Sequence, residues 1–194
     1  MKKIILFMIL VTAVAFGVLL FIIGRNGAPP LSRSAGQEQA RPYLHEDVPT
    51  GSRETADLVY IEKKARRLTL FRKGKPIRTY RVALGFAPKG KKSSDGDGKT
   101  PEGLYIIDRR NPNSRFHRAL HISYPNADDR RQAAARGVSP GGDIMIHGLM
   151  NGLGWIGKAH RARDWTLGCI ALTNEEIEEV WRMVPDGTPV VIVP

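Results

Sequence analysis

At 194 residues the chain is long enough for one domain with a sizeable hydrophobic core. A net charge of +11 points to anionic partners, and in a chain read as exported these are anionic polymers or lipid headgroups rather than nucleic acid. A single cysteine, Cys169, excludes an intrachain disulfide, and in an oxidising compartment an unpaired thiol calls for a chemical reason.

The first element follows Met1, Lys2 and Lys3. Residues 4–23 form a run of twenty uncharged, mostly apolar residues, about the number a helix needs to cross a bilayer core. So long a run has no polar face to turn to water, which argues against a core helix. Ala13-Val14-Ala15 looks like a small-residue cleavage site, but the apolar stretch continues through Val18 to Ile23, which favours an uncleaved anchor. The lysines ahead of the span place residues 1–3 in the cytoplasm and the bulk of the chain outside it. Residues 24–55, rich in Gly, Pro, Ser, Gln, Arg and Glu, read as a flexible tether.

Residues 56–194 have the length of one domain and read as mainly β with a few helices. Apolar and β-branched runs predict strands at 57–61, 67–71 and 77–84, separated by short basic turns in a meander pattern. Further strands are expected at 104–107, 119–122, 143–147 and 190–193. Residues 89–98 form a polar loop that closes on Asp95-Gly96-Asp97-Gly98. One helix is expected at 127–135, ended by Gly137. A second is expected at 174–184, where Thr173 and Glu176 form a capping box and Ile177, Val180, Trp181 and Val184 share one face. Trp181 is therefore expected in the core.

His147 ends an apolar run and precedes Gly148, a strand end from which an imidazole reaches a cleft. Cys169 follows Gly168 and precedes Ile170-Ala171-Leu172. A thiolate, not a thiol, is the nucleophile, so Cys169 needs a base or a positive neighbour. A tight turn would free the N–H groups of Gly168 and Cys169 for an oxyanion.

Ile146-His147-Gly148 followed by Thr166-Leu167-Gly168-Cys169-Ile170 resembles the signature of the YkuD-type L,D-transpeptidase catalytic domains. Residues 60–85 resemble that family's first strands, Gly98-Lys99-Thr100-Pro101-Glu102-Gly103 its Thr-Pro-x-Gly segment, and Gly141-Gly142-Asp143 the approach to its histidine. The resemblance spans about residues 56–194. It implies a mixed β-sandwich in the bacterial periplasm or cell wall that acts on peptidoglycan stem peptides without a cofactor. In that family the cysteine attacks the carbonyl after the third residue of a tetrapeptide, releases D-alanine, and passes the acyl group to an amine. By position Cys169 is the nucleophile and His147 the general base. Gly148 belongs to the histidine motif, and Thr166 and Gly168 to the cysteine motif and its oxyanion turn.

Two positions depart from the pattern: Leu167 stands where many members carry a second histidine, and Ala171 where many carry Arg or Asn. The stretch between His147 and Cys169 is also long, so residues 149–163 are expected to form an extended lid. The form Asp-Trp-Thr-x-Gly-Cys-Ile-Ala resembles a branch that includes members hydrolysing a peptidoglycan amide, in which water replaces the amine.

The remaining candidates are weaker. His160, among Arg161 and Arg163, reads as a substrate-facing or surface group more than as a rival base. Arg161, Arg163 and Arg115 are placed to grip carboxylates, and Trp165 joins them as a candidate substrate contact. Asp164 would orient an imidazole or lie solvated. His117, His121, His147 and Cys169 contain no compact ligand pair with zinc spacing, so no metal is expected. Two classes stay open: a membrane-tethered enzyme of the periplasmic face, transferase or hydrolase, and a catalytically silent wall-binding module.

Overall fold

The computed structural model describes residues 54–194. The span expected at 4–23 lies outside the described residues, as does the tether apart from its last two positions. Among the described residues no helix is long and apolar enough to cross a membrane.

The strands are β1 (Leu58–Glu62), β2 (Arg67–Arg72), β3 (Lys75–Arg81), β4 (Gly103–Ser114), β5 (His117–Ile122), β6 (Met145–His147), β7 (Ile170–Ala171) and β8 (Pro189–Val193). They form a mixed sheet in the order β3-β2-β1-β8-β4-β5-β6-β7, parallel at β1/β8 and β6/β7 and antiparallel elsewhere. The meander β1-β2-β3 follows directly from tight turns, with Arg66 and Lys73 at positive φ. Leaving β3, the chain crosses to the opposite edge, where Ala83 bridges to Ala171 and Gly85 to Thr166. The two edges are thereby joined around one core, to which Val59, Ile61, Leu68 and Leu70 contribute from one half and Ile107, Leu120, Ile146 and Ile170 from the other.

The mainly β expectation holds, with shifted boundaries. Strand β4 runs to Ser114, well past the apolar 104–107, because β5 supplies hydrogen-bond partners to a segment whose own sequence is polar. Strand β7 is two residues long and lacks the length that pattern reading needs. Residues 82–84, expected as the end of the third strand, belong instead to the crossing segment, since β3 ends at Arg81.

Helix α1 (Ala127–Ala134) starts at Asn126, whose side chain accepts from Asp129 N–H while the Asp129 carboxylate accepts from Asn126 N–H. Helix α2 (Asn174–Met183) has the expected Thr173–Glu176 box, buries Ile177, Val180 and Met183, and packs against β5. Trp181 is only partly buried. Its ring packs at the margin of the core with the Arg110 and Arg118 guanidinium groups 4.0 and 4.9 Å from its centre, in two cation–π contacts.

Candidate active site

Strand alternation places the two motif residues together. His147 pairs with Ala171 across the parallel β6/β7 ladder, and Cys169 lies two residues before Ala171, so both side chains project from the same face. They line one cleft of about 610 Å³, bounded also by Lys92, Asn111, Ser114, Phe116 and Trp165.

His147 is 3% exposed, and its Nδ1 lies 2.7 Å from the Gly148 carbonyl oxygen. A carbonyl can only accept, so Nδ1 carries the proton and Nε2 is left with a lone pair. Burial, with a smaller contribution from His160, lowers its pKa to about 4 and keeps the ring neutral. Phe116 packs against the imidazole with ring centres 4.6 Å apart, and Trp165 meets it edge-on at 5.9 Å.

Cys169 is partly exposed. Its Sγ–H donates to the Asp143 carbonyl at 3.6 Å. Burial pushes the thiol above its ordinary value and the Asp143 carboxylate adds to this, against a hydrogen bond from the Met145 backbone and the charge of Lys92. The resting pair is thus a thiol beside a neutral imidazole.

Thr166 ties the cysteine turn: its Oγ1 donates to the Cys169 carbonyl at 2.8 Å and accepts from Gly168 N–H at 3.1 Å. This corrects the expected oxyanion pair, because Gly168 N–H is already engaged and only the Cys169 N–H is left from it. Gly168 has φ +132°, and a Cβ there would lie 2.7 Å from the Lys99 carbonyl oxygen. Gly148 has Asn174, Ile177 and His117 side chains within 3.1 Å of where a Cβ would stand, so it lets α2 seat directly behind the histidine.

The remaining candidates separate. His160, expected to be substrate-facing or on the surface, is 8% exposed, and its Nδ1 accepts from Trp165 Nε1–H at 3.4 Å. Arg161 is paired with Glu176 at the start of α2 instead of facing a substrate. Arg163 is exposed on the rim of a second, largely apolar cavity of about 420 Å³, lined by Leu149, Met150, Leu153, Ile156, His160 and Trp165. Arg115 is exposed in the main cleft. Asp164 neither orients an imidazole nor lies solvated: one oxygen accepts from Leu84 N–H at 2.9 Å, the other from Arg66 Nη2 at 2.8 Å. His117 pairs with Glu178 and His121 with Asp108. The stretch expected as a lid contains 3₁₀ turns over Gly154–Ala162, interrupted at Gly157, and forms a wall of the apolar cavity.

Sequence reading missed Phe116 and the polar wall Asn111, Asn113 and Ser114, which reach the cleft because β4 is longer than its apolar part. It also missed Lys92, a buried lysine whose Nζ donates to Asp97 and to the Ser94 carbonyl. A basic loop gives no signal that one of its cations is buried.

The YkuD family model, the L,D-transpeptidase catalytic domain, matches residues 56–192. A protein of Escherichia coli (strain K12) named "Putative L,D-transpeptidase YafK" is 34% identical over 134 residues, which are 65% of this chain and 47% of that one. Among solved structures, the helical cell shape determining protein Pgp2 from Campylobacter jejuni is 26% identical with a TM-score of 0.55, over 72% of this chain and 48% of that one. Bd1075 of Bdellovibrio bacteriovorus, at 24% identity and a TM-score of 0.51 over 72% and 48% of the respective chains, shares the fold. The chain spans about half the length of these relatives. Through residues 56–192 it belongs to the YkuD family of L,D-transpeptidase catalytic domains.

Proposed function

We propose that this domain is a cysteine acyltransferase that modifies peptidoglycan by L,D-transpeptidation. The observation that carries the reading is the placement of the one cysteine and a buried, neutral histidine on one sheet face at a shared cleft. Cys169 is the nucleophile and His147 the base. As Sγ attacks a stem-peptide carbonyl, the Nε2 lone pair of His147 takes the thiol proton. The oxyanion that forms is received by Cys169 N–H. His147 then gives the proton to the departing amine of D-alanine, and a thioester remains. An acceptor amine attacks the thioester, His147 removes its proton, and the thiol is restored. Burial suits His147 to this work, since a ring already protonated at neutral pH would accept nothing. Thr166 and Gly168 hold the nucleophile's turn, and Arg115 and Arg163 are placed to meet substrate carboxylates.

The proposal extends to location. Residues 4–23 anchor the chain in the inner membrane, with the catalytic domain on a tether in the periplasm; the composition of residues 1–55 supports this. N-terminal sequencing of the protein from membranes checks it: an intact start agrees, and a start near Phe16 refutes the anchor.

Incubation of the full chain with purified muropeptides, with product masses read out, tests the activity. Loss of D-alanine with a new cross-link supports transpeptidation. Hydrolysis without a cross-link assigns the chain to the amidase or peptidase alternative. No product, together with no carbapenem adduct on Cys169, leaves the silent wall-binding module.

A further inference from the structure

Trp165 borders two cavities. The cleft of about 610 Å³ and the apolar cavity of about 420 Å³ share this one lining residue. Trp165 is only partly buried and borders both cavities, so packing alone holds its ring less tightly than that of a core tryptophan. Its backbone is fixed, since Trp165 N–H and Thr166 N–H both donate to the Leu84 carbonyl at 3.1 Å, but that leaves the side chain free to turn. The polar tether on the indole is its Nε1–H, donated to His160 Nδ1. His160 is itself held firmly: it is buried, and the neighbouring Arg161 is paired with Glu176 in the first turn of α2. His147 packs against the indole and against Phe116, the three ring centres lying 4.6, 5.9 and 6.3 Å apart in a triangle.

We propose that His160 is a positioning residue: through its hydrogen bond it holds the Trp165 indole edge-on against His147 and so fixes the imidazole that serves Cys169. The inference rests on the reading of His147 as the base, and it reassigns His160 from a substrate contact to a part of the catalytic scaffold. The bond requires the tautomer with its proton on Nε2, a buried nitrogen with no hydrogen-bond partner among the described residues. A purely structural histidine gains nothing from that arrangement, whereas an acceptor for the indole needs it.

Alkylation of Cys169 by iodoacetamide at neutral pH, followed by intact-mass spectrometry of the full chain, tests the proposal without any peptidoglycan. His147→Ala sets the floor. His160→Leu should lower the second-order rate by about tenfold at an unchanged circular dichroism spectrum. His160→Asn, whose Oδ1 stands near the place of Nδ1, should recover it to within about twofold. Trp165→Phe, which keeps a ring but loses the donor, should lower the rate as far as His160→Leu, and the double variant should fall no further. Wild-type reactivity in folded His160→Leu, or losses that add in the double variant, overturns the proposal. If His160→Leu does not fold, wild-type reactivity in Trp165→Phe does so. If His147→Ala itself leaves alkylation unchanged, the reading of His147 as the base fails and this inference fails with it; a change in His147→Ala without one at His160 defeats the inference alone.

Discussion

His147 donates its Nδ1 proton to the carbonyl of the residue that follows it, Gly148, at 2.7 Å. The partner that orients the imidazole is therefore backbone, and among the described residues no carboxylate takes the third place of a triad at this ring. A carbonyl cannot stabilise an imidazolium as a carboxylate does, and burial lowers the pKa to about 4.

The acid limb of activity should accordingly lie near pH 4 to 5 rather than near 6.5. Stability follows the same group. Its folded pKa lies below the unfolded value of 6.5, so between the two the unfolded chain binds more protons and stability rises with pH. The contribution is whole above about pH 6.5 and is lost as pH falls toward about 4, up to about 3 kcal/mol for His147. Urea denaturation at pH 7 and pH 4.5 checks this: wild type should lose stability on acidification, and His147→Gln should lose less.

Asp164 links three segments far apart in sequence, with Leu84 N–H on one oxygen and Arg66 on the other. Asp164→Ala strands a backbone donor beside the bridge from Gly85 to Thr166 and should cost about 1–3 kcal/mol. Asp164→Asn, which keeps an acceptor for Leu84, should cost less. Chemical denaturation separates the two variants. A larger loss in Asn than in Ala would contradict the assignment.

Gly168→Ala should impair both folding and chemistry. Its φ of +132° is unfavourable for any residue with a Cβ, and that Cβ would lie 2.7 Å from the Lys99 carbonyl oxygen. The backbone must shift, and the Thr166 hydrogen bonds to Gly168 and Cys169 shift with it. A loss of about 2–3 kcal/mol is expected, with a slower Cys169 alkylation rate in the fraction that folds.

The sequence made this much of the site legible because its chemistry is local. Thr166 to Ile170 is one turn, His147-Gly148 one strand end, and Thr173 with Glu176 a capping box whose residues meet within a single helical turn. What stayed hidden depends on partners distant in the chain. Asn111 and Ser114 carry no strand pattern and become β-structure through pairing with β5. Phe116 reaches His147 because that strand extends. Asp164 looks like any acid in a polar loop until Leu84, 80 residues earlier, presents an N–H to it. His160 reads as a surface group among arginines until Arg161 finds Glu176 and turns the imidazole inward.

Cys169→Ala should abolish muropeptide turnover and leave the fold intact. The thiol fills little space: it is partly exposed, and its bond to the Asp143 carbonyl, at 3.6 Å, is a weak one. The ties that hold the turn run through Thr166 Oγ1 and the backbone, and alanine keeps them all. The thermal midpoint should therefore stay within a few degrees of wild type. Turnover should drop by at least about 10³-fold, since neither His147 nor any other group can form the thioester. Product formation at the wild-type rate by a folded Cys169→Ala would remove the nucleophile from the mechanism and leave His147 acting on water.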